Sequence, residues 1–192
     1  MTVEGIPRLF SERLVLRPFA SSDAANVERL AGAREVADTT LTIPHPYPTG
    51  SAGAWISTHG VAWERREHLT LAVCDYLAPD ELLGTVSLKI ETNHRNAEIG
   101  YWIGLEHWGQ GYATEAARAL VGHAFVELDM HRIQGRHFVR NPSSGRVMQK
   151  LGMQFEGIHR DAFRRWGQFE DVALYGLLAD AWNSAVINSQ RV

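Results

Sequence analysis

Between Ala97 and Leu128 the hydrophobic period changes from two residues to about 3.6, across a turn that holds two glycines one residue apart. Residues 97–103 alternate as a strand does and stop at Gly104. From Ala113 onward, Ala116, Ala117, Leu120, Val121, Ala124, Phe125 and Leu128 keep the i, i+3, i+4, i+7 spacing of an amphipathic helix. A strand that passes through a tight turn into a long helix commits the chain to helices packed on a sheet. Gly109 and Gly111 allow backbone dihedrals that other residues avoid and let a ligand approach the main chain. The unpaired N–H groups of a helix start, at the positive end of its dipole, form an anion site. Ala113 keeps the first turn small and Thr114 adds a hydroxyl, so a phosphate or pyrophosphate is expected at Gly109–Thr114. A turn that merely redirects the chain would read the same from these residues alone.

Two nucleotide motifs are excluded by spacing. A dinucleotide fingerprint needs a third glycine where this chain has Thr114, and an acid about 20 residues on, where Gln134 and Arg136 stand. No G-x-x-x-x-G-K-[ST] run exists.

Around this unit the periodicity predicts further elements. Residues 13–17 alternate up to Pro18, a strand, and Ser22 is placed to cap a short helix. The prolines at 44, 46 and 48 exclude helix and central strand there, so an extended loop is expected. Ala52, Trp55, Ile56, Ala62 and Trp63 share one helical face with His59. Residues 69–74 and 82–90 read as strands joined through Ala78-Pro79-Asp80. Residues 133–139 form another strand, followed by a helix from Pro142 to Leu151 with Asn141 as N-cap and Gly152 as its stop. Residues 155–159 and 172–178 close the sheet. A run of strands that then alternates with helices gives an α/β (α+β) domain with a mixed sheet.

At 192 residues the chain is long enough for one domain, expected over 1–192, to bury its core without disulfides or a structural metal. Nineteen basic against 22 acidic residues give −3, no electrostatic footprint for nucleic acid. Residues 1–19 carry acids and prolines where a signal peptide needs an apolar core, and no apolar run nears the ~20 residues that cross a bilayer. The single Cys74 suits a reducing compartment, and a cytoplasmic location without a membrane partner is expected. Nine histidines raise the question of metal, but H-E-x-x-H is missing and one cysteine cannot build a zinc cage, so no metal is expected.

The stretch Gly100-Tyr101-Trp102-Ile103 … Trp108-Gly109-Gln110-Gly111-Tyr112-Ala113-Thr114-Glu115-Ala116 resembles motif A of the GNAT acetyltransferases, in the branch of the ribosomal-protein N-terminal acetyltransferases. In the general pattern [QR]-x-x-G-x-[GA], Gly111 and Ala113 match and Trp108 stands at the first place, as is usual in this branch. Further pieces follow in the family's order: Ser11-Glu12-Arg13-Leu14, Pro44-His45-Pro46-Tyr47, His131-Arg132-Ile133, Asn141-Pro142-Ser143-Ser144, Lys150-Leu151-Gly152-Met153 and the last strand.

The resemblance implies a GNAT fold: a central mixed, mostly antiparallel sheet with a splayed parallel strand pair and flanking helices. It implies acetyl-CoA as cosubstrate, its pantetheine on the backbone of Tyr101, Trp102 and Ile103 and its pyrophosphate on Trp108, Gly109, Gln110, Gly111, Tyr112, Ala113 and Thr114. Asn141 matches the position that reaches the pantetheine, and as a helix N-cap it has a second role open to it. A neutral primary amine, such as a protein N-terminus, would attack the thioester directly. The oxyanion donor is the N–H of Trp102 or Ile103. Ser144 matches the position beside the sulfur, though a first-turn hydroxyl reads the same. For the base, Glu98 is the choice over Glu156, Glu170 and Asp171, against a plain solvated carboxylate.

Cys74 reads as packing and His123 as a solvated residue of the long helix. Trp55, Trp102 and Trp166 are candidates for the acceptor pocket, which the proline loop, the helix after it and residues 159–167 should build. Arg160, Arg164 and Arg165, with Phe163 and Trp166, read as a solvated loop or a surface for acidic groups. Alternatives are a non-catalytic acyl-CoA-binding sensor, a small-molecule amine as acceptor, or another acyl-CoA donor. A homodimer is compatible with the sequence.

Overall fold

A computed structural model describes residues 5–183. Residues 1–4 and 184–192, the ends of the domain expected over 1–192, lie outside the described residues. A two-residue strand not expected from the sequence, β1 (Leu9–Phe10), comes first, and the alternating segments follow as β2 (Leu14–Arg17), β3 (His68–Asp75), β4 (Leu82–Glu91), β5 (Asn96–Ile103) and β6 (Arg132–Phe138). The last two, β7 (Gln154–Arg165) and β8 (Gln168–Leu178), are longer than expected. Helices α1 (Ala24–Ala31), α2 (Arg34–Asp38), α3 (Ser51–Ser57), α4 (His59–Glu64), α5 (Tyr112–Val126) and α6 (Pro142–Lys150) cover the sheet.

Among the described residues, the eight strands form one sheet in the order β1-β2-β3-β4-β5-β6-β8-β7. Only β5 and β6 run parallel, and their pairing stops at Glu98↔Gln134 while β5 continues along β4 to Ile103. Past that point the two strands part, which is the splayed pair the resemblance implies.

Both faces of the sheet centre are covered, so β2 is buried at every residue. On one face Leu14, Leu71, Val86, Leu88, Ile99 and Ile103 meet Ala116, Leu120, Val121 and Ala124 of α5. On the other, Val15, Ala72, Cys74 and Trp102 meet Val27, Leu30, Val36 and Ala52 of the N-terminal helices. Leu120 is fully buried, and truncating it to alanine would cost about 2–5 kcal/mol. No described helix is long and apolar enough to cross a membrane.

Three expectations are corrected. Ser22 does not cap α1; a turn of 3₁₀ helix at Ser21–Asp23 precedes it, and the carboxylate of Asp23 accepts from the Ala20 N–H at 2.7 Å. The apolar face at 52–63 belongs to two helices, broken at Thr58, whose N–H and hydroxyl both bond the Trp55 carbonyl. Residues 160–171 are the outer part of a β7–β8 hairpin rather than a loop. It turns at Trp166 and Gly167, both at positive φ (46° and 86°), the geometry a two-residue hairpin turn needs. Two register shifts along β7 break the alternation that would have revealed the strand.

Candidate active site

Two hydrogen bonds fix which way the peptide groups of β5 point. Gly104 N–H donates to the Leu83 carbonyl at 2.8 Å, so even-numbered residues bond to β4. Arg132 N–H donates to the Arg95 carbonyl at 3.2 Å, so odd-numbered residues face β6. Beyond Glu98 that alternation turns the N–H and C=O of Tyr101 and the N–H of Ile103 into the gap between the strands. The Ile103 carbonyl is occupied by the indole N–H of Trp108 at 2.6 Å. Trp102, read as an oxyanion donor on a par with Ile103, instead has its N–H in the β4 ladder.

The gap opens into a cavity of about 380 Å³ that reaches the start of α5. Its lining includes Tyr101, Trp102, Ile103, Trp108, Gly109, Gly111, Tyr112, Ala113, Thr114, Asn141 and Ser144. Gln110 lies outside this lining; its carbonyl accepts from Arg13 at 3.2 Å. Gly109 and Gly111 take φ of 76° and 85°, where any side chain would be strained. Gly111 caps α5 without a side-chain partner, and the first bond of the helix runs from Glu115 N–H to the Gly111 carbonyl. The earlier amides are thus left for a ligand. Arg146 and Lys150 of α6 line the same cavity. Unpaired amides, a helix dipole and two cations fit a pyrophosphate.

At the far end, Asn141 caps α6 by accepting from the Ser144 N–H at 3.4 Å. The Tyr101 phenol lies 2.8 Å from Ser144 Oγ and 3.1 Å from the Ser144 carbonyl. Burial pushes the Tyr101 hydroxyl up to about 12, outweighing the hydrogen bond with Ser144, so it stays protonated. Arg13 sets the glycine turn from below: its guanidinium pairs with Glu115 and lies 4.7 Å from the Tyr112 ring centre. Partial burial would raise the Glu115 carboxyl, but bonds from the Arg13 N–H, the Ser11 hydroxyl and the Arg13 guanidinium hold it below its usual value.

On the other side of the gap is a second cavity, of about 700 Å³. It is walled by residues 39–44, Tyr47, Trp55, Trp102 and Phe138, and floored by Thr70, Thr85, Ser87 and Gly100. Thr39, Tyr101, Trp102 and Ser144 line both cavities, so the two meet where β5 and β6 part.

These observations coincide with a family match. The acetyltransferase (GNAT) domain profile matches residues 13–154. The chain belongs to the GNAT acetyltransferase family. A ribosomal-protein-serine acetyltransferase of Escherichia coli (strain K12) is 35% identical over 103 residues, 53% of this chain and 58% of that protein. The chain spans about half the length of several of the curated relatives it matches. A structure described as RimL, a ribosomal L7/L12 alpha-N-protein acetyltransferase in complex with coenzyme A, superposes with a TM-score of 0.81 at 22% identity, covering 92% of this chain and 98% of that one. Spermidine N-acetyltransferase from Vibrio cholerae, in complex with CoA and spermine, gives 0.77 at 23% identity, covering 90% and 99%. These two share the fold.

Within this GNAT domain, Glu98 is the one carboxylate among the residues lining the larger cavity, and Arg136 Nε donates to it at 2.8 Å. The alternative bases are engaged elsewhere. Glu156 pairs with Arg132, Glu170 with Arg140, and Asp171 accepts from the Asp161 N–H. Of the tryptophans, Trp55 and Trp102 line the larger cavity, while Trp166 is drawn away under Arg34 and Arg165. Residues 159–167 do not line the cavity; Arg165 reaches it indirectly, donating to the carbonyls of Ala37 and Ile43. Cys74 is fully buried, and burial pushes its thiol up to about 11, so it packs as a neutral group. His123 is half-buried rather than solvated, and burial lowers its pKa. Arg146 and Lys150 were not read from the sequence as site residues. Their signal was available: Ser143, Arg146, Val147 and Lys150 follow helical spacing from the cap and form one face of α6.

Proposed function

We propose that the chain is an acetyl-CoA-dependent N-acetyltransferase, carrying an acetyl group directly to a primary amine, and that the acceptor is the α-amine of a peptide or protein. The meeting of two cavities at Tyr101, Trp102 and Ser144 carries this reading, since each substrate has its own approach to one point. Acetyl-CoA supplies a thioester whose carbonyl carbon an amine attacks, with the CoA thiol leaving.

The chain's own groups divide the remaining work. Tyr112–Thr114 N–H groups, Arg146 and Lys150 hold the phosphates, and the Tyr101 peptide group and the Asn141 amide hold the arm. The Ile103 N–H faces the gap and donates to the carbonyl oxygen as charge develops on it. Glu98 takes the proton of the attacking amine. It lies four residues along β5 from Trp102, about 13 Å of strand, so the proton travels through water over the polar floor of Ser87 and Thr70. The Tyr101 and Ser144 hydroxyls lie 2.8 Å apart and either can donate to the other; with the bond running from Tyr101, Ser144 passes its proton to the departing thiolate as it takes one from Tyr101, which is reprotonated from water. A hydroxyl is a poor acid, but with a thiol pKa near ~8.5 the thiolate leaves readily and needs only a little help from a proton donor.

A distant base held by a guanidinium suits an amine that is already partly neutral. An α-amine has a pKa of about 7.7–8.0 against ~10.4 for lysine, a difference of about 3 kcal/mol in deprotonation. A peptide with both a free α-amine and an internal lysine, incubated with acetyl-CoA and the protein, decides the matter by mass spectrometry. The acetyl group is expected on the α-amine with one CoA thiol released per product. Modification confined to lysine removes the α-amine assignment, and CoA binding without transfer to either favours an acyl-CoA-binding module.

A further inference from the structure

The floor of the larger cavity is built of cross-strand rows. At the inner end, Thr85 and Trp102 stand opposite each other and are buried. At the mouth, His68, Lys89 and Glu98 stand in register across β3, β4 and β5. Directly opposed residues of antiparallel strands project to the same face, so all three rise from the same edge of the floor.

The charges of this mouth do not balance. Among the residues lining the cavity, Glu98 is the one anion, and its carboxylate is already bonded to Arg136. Arg136 in turn lies 5.0 Å from the ring centre of Phe163, which holds it over Glu98. Lys89 is exposed and takes part in no ion pair among the described residues. Burial, and then the Lys89 charge, lower the His68 pKa against a smaller opposing pull from Glu67. Once Glu98 and Arg136 cancel, Lys89 is the one unpaired charge of these three lining residues; Glu67, which acts on His68, does not line the cavity, and no lining carboxylate is left to receive a second ammonium group of an acceptor.

From this we infer that the acceptor is an extended peptide bearing an acidic side chain at its second to fourth residue, which meets Lys89, and that polyamines and basic N-termini are disfavoured. The inference rests on the proposed acetylation of α-amines and names which of them the site takes. The spacing follows from strand geometry. Lys89 lies opposite Glu98, four residues from Trp102, so about 13 Å separates it from the point where the cavities meet. An extended chain covers about 3.3–3.6 Å per residue, and the flexible lysine stem shortens the remaining span. The carboxylate of a free amino acid, one bond from the carbon that bears the amine, falls short of that distance. A polyamine would bring further ammonium groups to a mouth that repels them.

The test uses three tetrapeptide amides that differ only in the third residue, Glu, Gln or Lys, with spermidine and free glutamate as further acceptors. Product is measured by mass spectrometry on the wild type and on Lys89→Gln, with CoA affinity as the check that the variant is folded. For the wild type, kcat/KM should rank Glu above Gln above Lys, with about fivefold between Glu and Gln as expected for a partly exposed charge pair. Spermidine and free glutamate should be poorer than the Glu peptide. Lys89→Gln should bring the Glu/Gln ratio close to one. Equal rates for the three peptides, a preference for Lys or spermidine, or an unchanged ratio in folded Lys89→Gln would overturn the inference while leaving N-acetyl transfer intact. Free glutamate outrunning the peptides would overturn the peptide assignment. No transfer to any amine would instead remove the proposed function, and the inference with it.

Discussion

Tyr101 and Ser144, 43 residues apart in sequence, place their hydroxyls 2.8 Å from each other at the point where the two cavities meet. A phenol has one proton to give: the Ser144 carbonyl can only accept it, while between the two hydroxyls either can be the donor, so Tyr101 orients the Ser144 hydroxyl. Ser144→Ala should therefore lower kcat, by about tenfold or more if it is the acid, with little change in CoA affinity. Tyr101→Phe should give a smaller loss in kcat, because Ser144 remains but is no longer oriented. Steady-state kinetics with calorimetric CoA binding measure both. Wild-type turnover in Ser144→Ala would reduce Ser144 to a helix-start residue.

Arg165 sits on the β7–β8 hairpin yet donates to the carbonyls of Ala37 and Ile43, at 2.5 and 2.6 Å, and so ties the hairpin to the loop that walls the acceptor cavity. Arg140 adds a second tie, pairing with both Asp38 and Glu170. Removing Arg165 would strand two carbonyls, at about 1–3 kcal/mol each if they stay dry. Arg165→Ala should raise the acceptor KM several-fold and leave CoA affinity as it was, since Arg165 is outside the cofactor cavity. A parallel loss of CoA affinity would mean that the hairpin supports the whole site.

His59 is buried between Phe19 and Trp55, at ring-centre distances of 5.3 and 4.4 Å, and neither ring nitrogen has a partner among the described residues. Burial, with a smaller push from His68, lowers its pKa from 6.5 to about 4. Between those values the unfolded chain binds a proton that the folded one does not. Stability contributed by neutral His59 is thus complete above pH 6.5 and is lost as pH falls toward about 4, up to about 3 kcal/mol in all. Urea midpoints at pH 7.5 and 5 should fall less in His59→Phe, which keeps an aromatic ring, than in the wild type. Equal falls would show that His59 does not set the acid limb.

Much of this fold is legible in the sequence, because its strand segments alternate in residue type and α5 keeps one apolar face against the core. Leu14–Arg17, Leu82–Glu91 and Asn96–Ile103 alternate, and α5 repeats at helical spacing. The Asn141 cap and the positive φ of Gly109, Gly111 and Gly152 follow from residue type. What local pattern could not supply is of two kinds. Register shifts at Phe155/Gly157 and His159/Phe163 erase the alternation of β7, so the hairpin looked like a loop. Pairs between distant segments leave no local trace. Glu98 with Arg136 and Arg13 with Glu115 are such pairs; the first holds the proposed base and the second braces the glycine turn. The choice between Trp102 and Ile103 as donor needed the register of β5 against both neighbours, which only the assembled sheet fixes.

Titration of CoA into the folded wild type and into Gly111→Asp, by calorimetry with circular dichroism as the check on folding, tests the account most directly. Gly111 holds φ of 85° at the cap of α5, and an aspartate there sets a negative charge against the expected phosphates and strains the turn. The account predicts saturable binding to the wild type and its loss in Gly111→Asp, with Arg146→Ala, which leaves the turn untouched, weakened about tenfold. Wild-type affinity in folded Gly111→Asp and in Arg146→Ala, or no binding to the wild type, would contradict it.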